Sequence, residues 1–198
     1  MNSINNLDLC YLLGAFLGDG CAYIGKSAYQ FSITSEDEDF CIKCQNICQK
    51  LINKSGKIRV VFKENRVSYY QLVICSKELV LFLIEQTKNK SMIPMIVYDN
   101  TENKRCFLRG IMDADGWISR VQPDDGYTRY RVGFKNIFNF TSDIFGLFRD
   151  CNIRTGILRA VDNDRGSKDI PFAYTFSINT HDYCEKLGFG IKRKTRVS

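Results

Sequence analysis

Apolar and polar positions along the chain alternate between two rhythms, one of period near 3.6 and one of period 2, and the succession of rhythms occurs twice. The first pass predicts a helix at about 7–18, strands near 21–25 and 28–34, and a helix near 37–53. It continues with strands near 57–63 and 67–75 and a helix near 77–86. The second pass predicts a helix at about 103–114, strands near 117–121 and 128–135, and a helix near 140–151. Strands near 155–162 and 171–178 and a helix near 180–187 complete it. The residues echo as well as the pattern. LLGAFLGDG, Leu12 to Gly20, returns 96 positions later as LRGIMDADG, Leu108 to Gly116. LIEQTKNKS returns as LGFGIKRKT, which sets Lys88 and Lys90 opposite Lys192 and Lys194. The chain therefore reads as α+β, with two related αββαββα halves, 1–100 and 101–198, abutting through MIPMIVYDNTENK.

Composition narrows the chemistry. With 44% hydrophobic and 13% aromatic residues the 198-residue chain has ample material for a core. Lys and Arg exceed Asp and Glu by 28 to 22, and the excess falls mostly in the second half, a mild bias towards a polyanionic partner. The nine cysteines are odd in number and no signal-like leader precedes them, so reduced thiols in an intracellular protein are expected, in a cytoplasm or an organelle interior. Cys41, Cys44 and Cys48 mimic half a zinc site, but their spacing is one helix face and no second pair follows, so they read as small buried hydrophobes. The one histidine, His181, excludes nucleases of the His-Asn-His type and two-His zinc peptidases, and reads as a capping or surface residue. No apolar run reaches membrane-spanning length.

Two motifs are decoys. Gly20 to Ser27 fits the phosphate-cradling pattern G-x-x-x-x-G-K-S, but such a loop needs a strand before it and a helix after it. Here a helix precedes and a strand follows, so Gly25-Lys26-Ser27 reads as a hairpin turn. DADGWISRVQ resembles a calcium loop, but that frame puts Ile111 at the first ligand position and Gln122 at the twelfth.

What remains is one acid at the foot of each repeated helix, Asp19 and Asp115. The helix macrodipole disfavours a carboxylate there, so its double occurrence asks for a cause. Gly14 and Gly18, and correspondingly Gly110 and Ala114, lie four apart on one face and permit close helix packing. Packed face to face, the two helices would bring both acids to one end. Paired carboxylates need a proton or a cation, and divalent, oxygen-ligated ions fit.

LLGAFLGDG and LRGIMDADG, each opening the same order of elements, resemble the two signature motifs of a single-chain LAGLIDADG homing endonuclease. The resemblance spans the chain. It implies two pseudo-symmetric halves forming a curved antiparallel-sheet saddle over double-stranded DNA, with the motif helices packed at the centre. It further implies a monomer that cuts both strands of a long asymmetric site, leaving short 3′ overhangs. In that family the last acid of each motif binds catalytic metal, here Asp19 and Asp115, with carbonyls from Gly18 and Ala114 and two or more Mg²⁺ ions. Lys88 and Lys192 match the family's catalytic basic position, with Lys90 and Lys194 beside them. The sequence departs from the family at Ser35 and Glu36, where many members carry Gln-Lys, and at Leu17, where many carry an acid.

Strand parity separates a core face from a nucleic-acid face. Tyr29, Phe31, Ile33, Ile58, Val60, Phe62, Tyr130, Val132 and Phe134 are expected inward, with the even-numbered aromatics of PFAYTFSIN. Gln30, Ser32, Thr34, Lys57, Arg59, Lys63, Arg129, Arg131, Lys135, Arg159, Thr175, Ser177 and Asn179 are expected outward. These side chains suit base edges and phosphates in a major groove. Lys26, Arg66, Arg165 and Lys168 would extend the footprint from loops. Intron RNA, bound by a splicing maturase, is the alternative partner, and a non-cleaving DNA-binding regulator the alternative role. Both acids being present favours cleavage.

Overall fold

Every residue from Leu9 to Leu17 is apolar, aromatic or glycine, so beyond its first turn the first helix has no charged side and is buried all round. This helix, α1 (Asn6–Leu17), and its counterpart α4 (Thr101–Asp115) cross at the centre of the computed structural model, which describes residues 6–26, 28–63, 66–122, 129–136, 140–162 and 172–195. Of Arg165 and Lys168, expected at the DNA surface, both lie outside the described residues.

Around α1 the first half places β1 (Gly20–Ile24), β2 (Tyr29–Ser35), α2 (Glu38–Ile52), β3 (Lys57–Lys63), β4 (Arg66–Cys75) and α3 (Lys77–Thr87). A 3₁₀ turn, Met95–Tyr98, leads into α4, whose N-cap Asn100 accepts from the Asn103 amide at 2.8 Å. The second half follows with β5 (Gly116–Val121), β6 (Arg129–Asn136), α5 (Thr141–Asp150), β7 (Arg159–Asp162), β8 (Phe172–Ile178), α6 (Thr180–Lys186) and the short α7 (Lys192–Thr195). Each half holds one four-stranded antiparallel sheet, ordered β1-β2-β4-β3 and β5-β6-β8-β7. The α+β class and the two-halves layout expected from the repeat are therefore the observed ones.

The sheets present apolar alternate residues to the helices. Phe31, Ile33, Leu72 and Ile74 do so in the first sheet, and Val132, Phe134, Phe176 and Ile178 in the second. Phe176 stacks edge-on against Phe145 and Phe148 of α5 at centroid distances of 5.2 and 5.7 Å. The Cys41, Cys44 and Cys48 thiols are fully buried on α2, and burial raises all three. They are inert packing groups, and all nine cysteines are free.

Several expectations need correction. Tyr174, expected inward, stands 41% exposed. Val60 and Phe62 point to the core side by parity but stand 43% and 65% exposed, β3 being the outer strand of its sheet with a bulge at Val61/Phe62 that shifts its register. The strand expected from residue 155 begins at Arg159; before it only Thr155 bridges to Ile178, and Ile157 is 73% exposed. Asn179 does not face outward with Ser177 but caps α6, accepting from the Asp182 amide at 3.0 Å. Gly25 donates to the Ala28 carbonyl at 2.8 Å between β1 and β2, so the phosphate-loop look-alike is a hairpin turn. His181 is exposed on α6, its Nδ1 3.7 Å from Glu185. Among the described residues no helix is long and apolar enough to cross a membrane.

Candidate metal and nucleic-acid site

The centre of the molecule is built from glycines. A Cβ on Gly14 would lie 2.2 Å from the Phe107 carbonyl oxygen, and one on Gly110 would lie 2.1 Å from that of Tyr11. These contacts exchange under the 96-residue repeat, since Tyr11 corresponds to Phe107 and Gly14 to Gly110. The helices thus touch backbone to backbone about a pseudo-twofold axis. One turn on, a Cβ on Gly18 would meet the Ala114 Cβ at 2.5 Å and the Asp115 Oδ2 at 3.1 Å. The four small residues expected at the interface all lie in it, and their closeness carries the second acid to the foot of the first helix.

Asp19 and Asp115 share an electrostatic environment. Burial pushes the Asp115 carboxyl up to about 7, and the negative charge of Asp19 pushes the same way. Lys90, Lys194 and a hydrogen bond from Asn136 oppose the rise. Asn136 donates from Nδ2 to Asp115 Oδ2 at 2.6 Å. Sheet register places Asn136 where the first half has Ser35, because Gly20 faces Ile33 and Gly116 faces Phe134. Ser35 instead accepts from the Asp37 amide at 3.1 Å, ahead of α2. The amide that holds the motif acid is therefore carried by the second half, at Asn136.

The lysines answer the macrodipole question. Lys90 Nζ donates to the Gly18 and Gly20 carbonyls at 2.8 and 3.0 Å. Lys194, 6% exposed, donates to Met112, Asp113 and Gly116 at 3.0, 2.9 and 2.6 Å, with Ala114 at 3.4 Å. One ammonium thus closes the C-terminus of each motif helix and neutralises the end that carries the acid. Burial pulls Lys90 down, while Asp115 and Asp19 hold it up. Lys88 and Lys192, expected as the catalytic pair, are exposed: Lys88 is the left-handed cap of α3, and the Lys192 amide donates to Asp39. The structure brings the second lysine of each pair, not the first, to the acids.

A buried network centred on Asp113, two residues before Asp115, has no counterpart at Leu17 among the described residues. Tyr11 donates to Asp113 Oδ2 at 2.6 Å, the Gly190 amide donates to Oδ1 at 2.8 Å, and Lys43 stands 3.6 Å from Oδ2. Lys43 also lies 3.9 Å over the Tyr11 ring. The equivalent of Asp113 in α1 is Leu17, so the family departure at that position is where the halves become unlike. Tyr11, Lys43 and Asn136 carry no motif of their own and were not legible as site residues.

On the sheets, Thr34, Lys57, Arg59, Arg129, Arg131, Lys135, Arg159 and Ser177 are exposed on the outward face, with Lys26 exposed at the β1–β2 turn. Gln30 and Thr175 are partly covered, and Thr175 donates its hydroxyl to the Phe134 carbonyl at 2.8 Å. Ser32 is 8% exposed, so its outward parity does not make it accessible. Lys63 and Arg66 pair in register at the end of β3 and β4. Register adds Cys21, Tyr23, Tyr69, Gln71 and Val73 to this face in the first half and Trp117 and Ser119 in the second.

Among the described residues no three His, Cys, Asp or Glu side chains cluster as a metal site. The donor set at the helix feet is two carboxylates and the Gly18 and Ala114 carbonyls, all oxygen, and each carbonyl has two lone pairs to share between a lysine and a cation. Such a set fits hard divalent ions completed by water and phosphate oxygens.

Comparison with known proteins agrees with this geometry. Residues 6–87 match the model of the LAGLIDADG-like domain. No curated protein matches the chain in sequence. Among solved structures, mesophilic variants of the homing endonuclease I-DmoI are similar over 91% of this chain and 92% of theirs, with 19% identity and a TM-score of 0.61. I-DmoI in complex with DNA and Mn is similar over 93% and 97%, with 18% identity and a TM-score of 0.62. The N-terminal LAGLIDADG domain of DUF199/WhiA is similar over 98% and 87%, with 15% identity and a TM-score of 0.62. At these identities the likeness is one of fold.

Proposed function

From a chain whose residues 6–87 match the LAGLIDADG-like domain and whose fold is similar to that of I-DmoI, we propose a site-specific, divalent-metal-dependent endonuclease of double-stranded DNA. The observation that carries this reading is the meeting of Asp19 and Asp115, one from each half, at the end of helices held together by glycine, with the Asp115 carboxyl pushed up to about 7. A pair that resists double ionisation is poised to exchange its proton for a cation. The two sheets flank it with outward faces rich in Arg, Lys, Thr and Ser.

Asp19, Asp115 and the Gly18 and Ala114 carbonyls would hold Mg²⁺ or a similar ion, two or more across the pair. Bound there, the ions supply Lewis-acid stabilisation of the scissile phosphate and of the leaving oxygen. The chain's own residues do the rest. Asn136 fixes the Asp115 carboxylate rotamer, and Lys90 and Lys194 supply positive charge at the two helix ends beside the phosphates. Arg59, Arg129, Arg131, Lys135 and Arg159 neutralise backbone phosphates and set the register of the duplex. The domain division proposed is 1–100 and 101–198, each half reading one side of an asymmetric site as a monomer. Intron homing and 3′ overhangs belong to the same reading.

Cleavage of a randomised duplex library in Mg²⁺, with the products sequenced, tests the proposal. The expected result is one enriched site cut on both strands, with affinity falling steeply as salt rises. Uncut libraries in every divalent metal, or cutting that survives both Asp19→Asn and Asp115→Asn, would overturn it.

A further inference from the structure

The chain has a single tryptophan, Trp117, and it stands on the outward face of β5 two residues after Asp115. Its cross-strand partner is Gly133, whose own neighbour on β8 is Ser177. The indole lies flat on that glycine: a Cβ at residue 133 would be 2.2 Å from Cζ2, 2.6 Å from Cε2 and 2.9 Å from Cη2. Gly133 is thus the residue that lets the ring lie down on the sheet. Trp117 is only partly covered by it. Arg131 and Lys135, exposed two positions to either side of Gly133 on the same face, bracket the ring with cations. In the first half the equivalent of Trp117 is Cys21, an exposed thiol paired with Ser32, and no large ring occupies the place.

A broad apolar plate, pinned by a glycine and flanked by phosphate-binding cations, matches a thymine 5-methyl group on a base edge between two phosphate rails. Resting on the DNA-binding reading above, we infer that Trp117 is a specificity-determining contact for thymine in the half-site held by the second sheet, at the end nearest the cut. The first half, with Cys21, lacks this contact, so the preference falls on one side of the site only.

The experiment uses the intact protein and its selected duplex. Thymines in each half-site are replaced one at a time by uracil, which removes only the methyl group. Binding is followed by anisotropy of end-labelled DNA and, separately, by emission of the single tryptophan. The expected result is one thymine of the second half-site whose conversion to uracil weakens wild-type binding about tenfold. The same swap leaves Trp117→Ala unchanged, and Trp117→Phe recovers part of the discrimination. Tryptophan emission shifts on saturation with the thymine duplex and shifts less with the uracil one. Equal response of wild type and Trp117→Ala to every uracil swap, no thymine preference in that half-site, or emission indifferent to saturating DNA would each overturn the inference. The wild-type measurements decide the matter even if Trp117→Ala does not fold. Failure of the labelled duplex to bind at all would instead sink the nuclease reading.

Discussion

The two halves share a scaffold and differ in what surrounds the acid. In the first, Asp19 is followed by small residues on the sheet face, Cys21 and Ser32, and the residue matching Asn136, Ser35, accepts instead from the Asp37 amide. In the second, Asp115 is gripped by Asn136, backed by the Asp113–Tyr11–Lys43 network, and followed by Trp117 lying on Gly133. The helix packing and the two capping lysines obey the pseudo-twofold, and the remaining side chains around each acid break it. On the proposed reading, shared geometry would set where two phosphates can be reached, and unlike surroundings how readily each is cut and which bases lie beside it.

The most severe way to probe this comparison is to remove an acid from either side. Asp19→Asn and Asp115→Asn should each reduce cleavage at least about a thousandfold, since each withdraws several kcal/mol of metal-borne stabilisation, while DNA binding by gel shift persists. Unequal loss would mean that the halves hold their ions independently. Next is the packing symmetry: Gly14→Val and Gly110→Val put a side chain within 2.2 and 2.1 Å of an opposing carbonyl oxygen. Each should destabilise the fold by about 3 kcal/mol or more in urea titrations. Gly146→Ala, whose added Cβ meets nothing within 4 Å inside α5, should stabilise by about 0.5–1 kcal/mol.

The lysines sharpen the comparison further. Lys90→Met and Lys194→Met should slow single-turnover cleavage on the order of a hundredfold, whereas Lys88→Met and Lys192→Met should change it little. Asn136→Ala should slow one strand about tenfold, by loosening a positioned carboxylate, so that nicked plasmid accumulates; Ser35→Ala should not. The smallest effect is on pH. Because Asp115 titrates near 7, above its ordinary range, it must give up a proton to bind a cation. Divalent-ion affinity measured calorimetrically should therefore rise with pH up to about 7, by at most about tenfold per unit, and level off above it.

Much of this was legible in the chain because it is written in period and repeat. Helix and strand limits follow from apolar spacing, and the two acids and four small residues follow from a 96-residue echo. Lys90 against Lys88 was not legible, since both sit in the same polar tripeptide and only the left-handed turn at the end of α3 decides which one faces inward. Asn136 and Trp117 were hidden for another reason. Each acts through a partner on another element, Asn136 by reaching from β6 to Asp115 at the end of α4 and Trp117 by lying on Gly133, and sequence distance conceals such partners. Val60 and Phe62 misled because parity names a face without saying how far the helices cover it.

The turn that delivers Lys90 has its own consequence. Lys88, Asn89 and Lys90 have φ of 44°, 55° and 65°, three successive non-glycine residues in the left-handed region, where each costs about 1 kcal/mol. The second half delivers Lys194 to the equivalent carbonyls from the short helix α7 instead. One ammonium is thus held by a sprung left-handed turn and the other by a relaxed right-handed one. The first half gives up conformational ease to keep its cation in place, so glycine at Lys88 or Asn89 is expected to raise the melting temperature while loosening the arm that steadies Lys90.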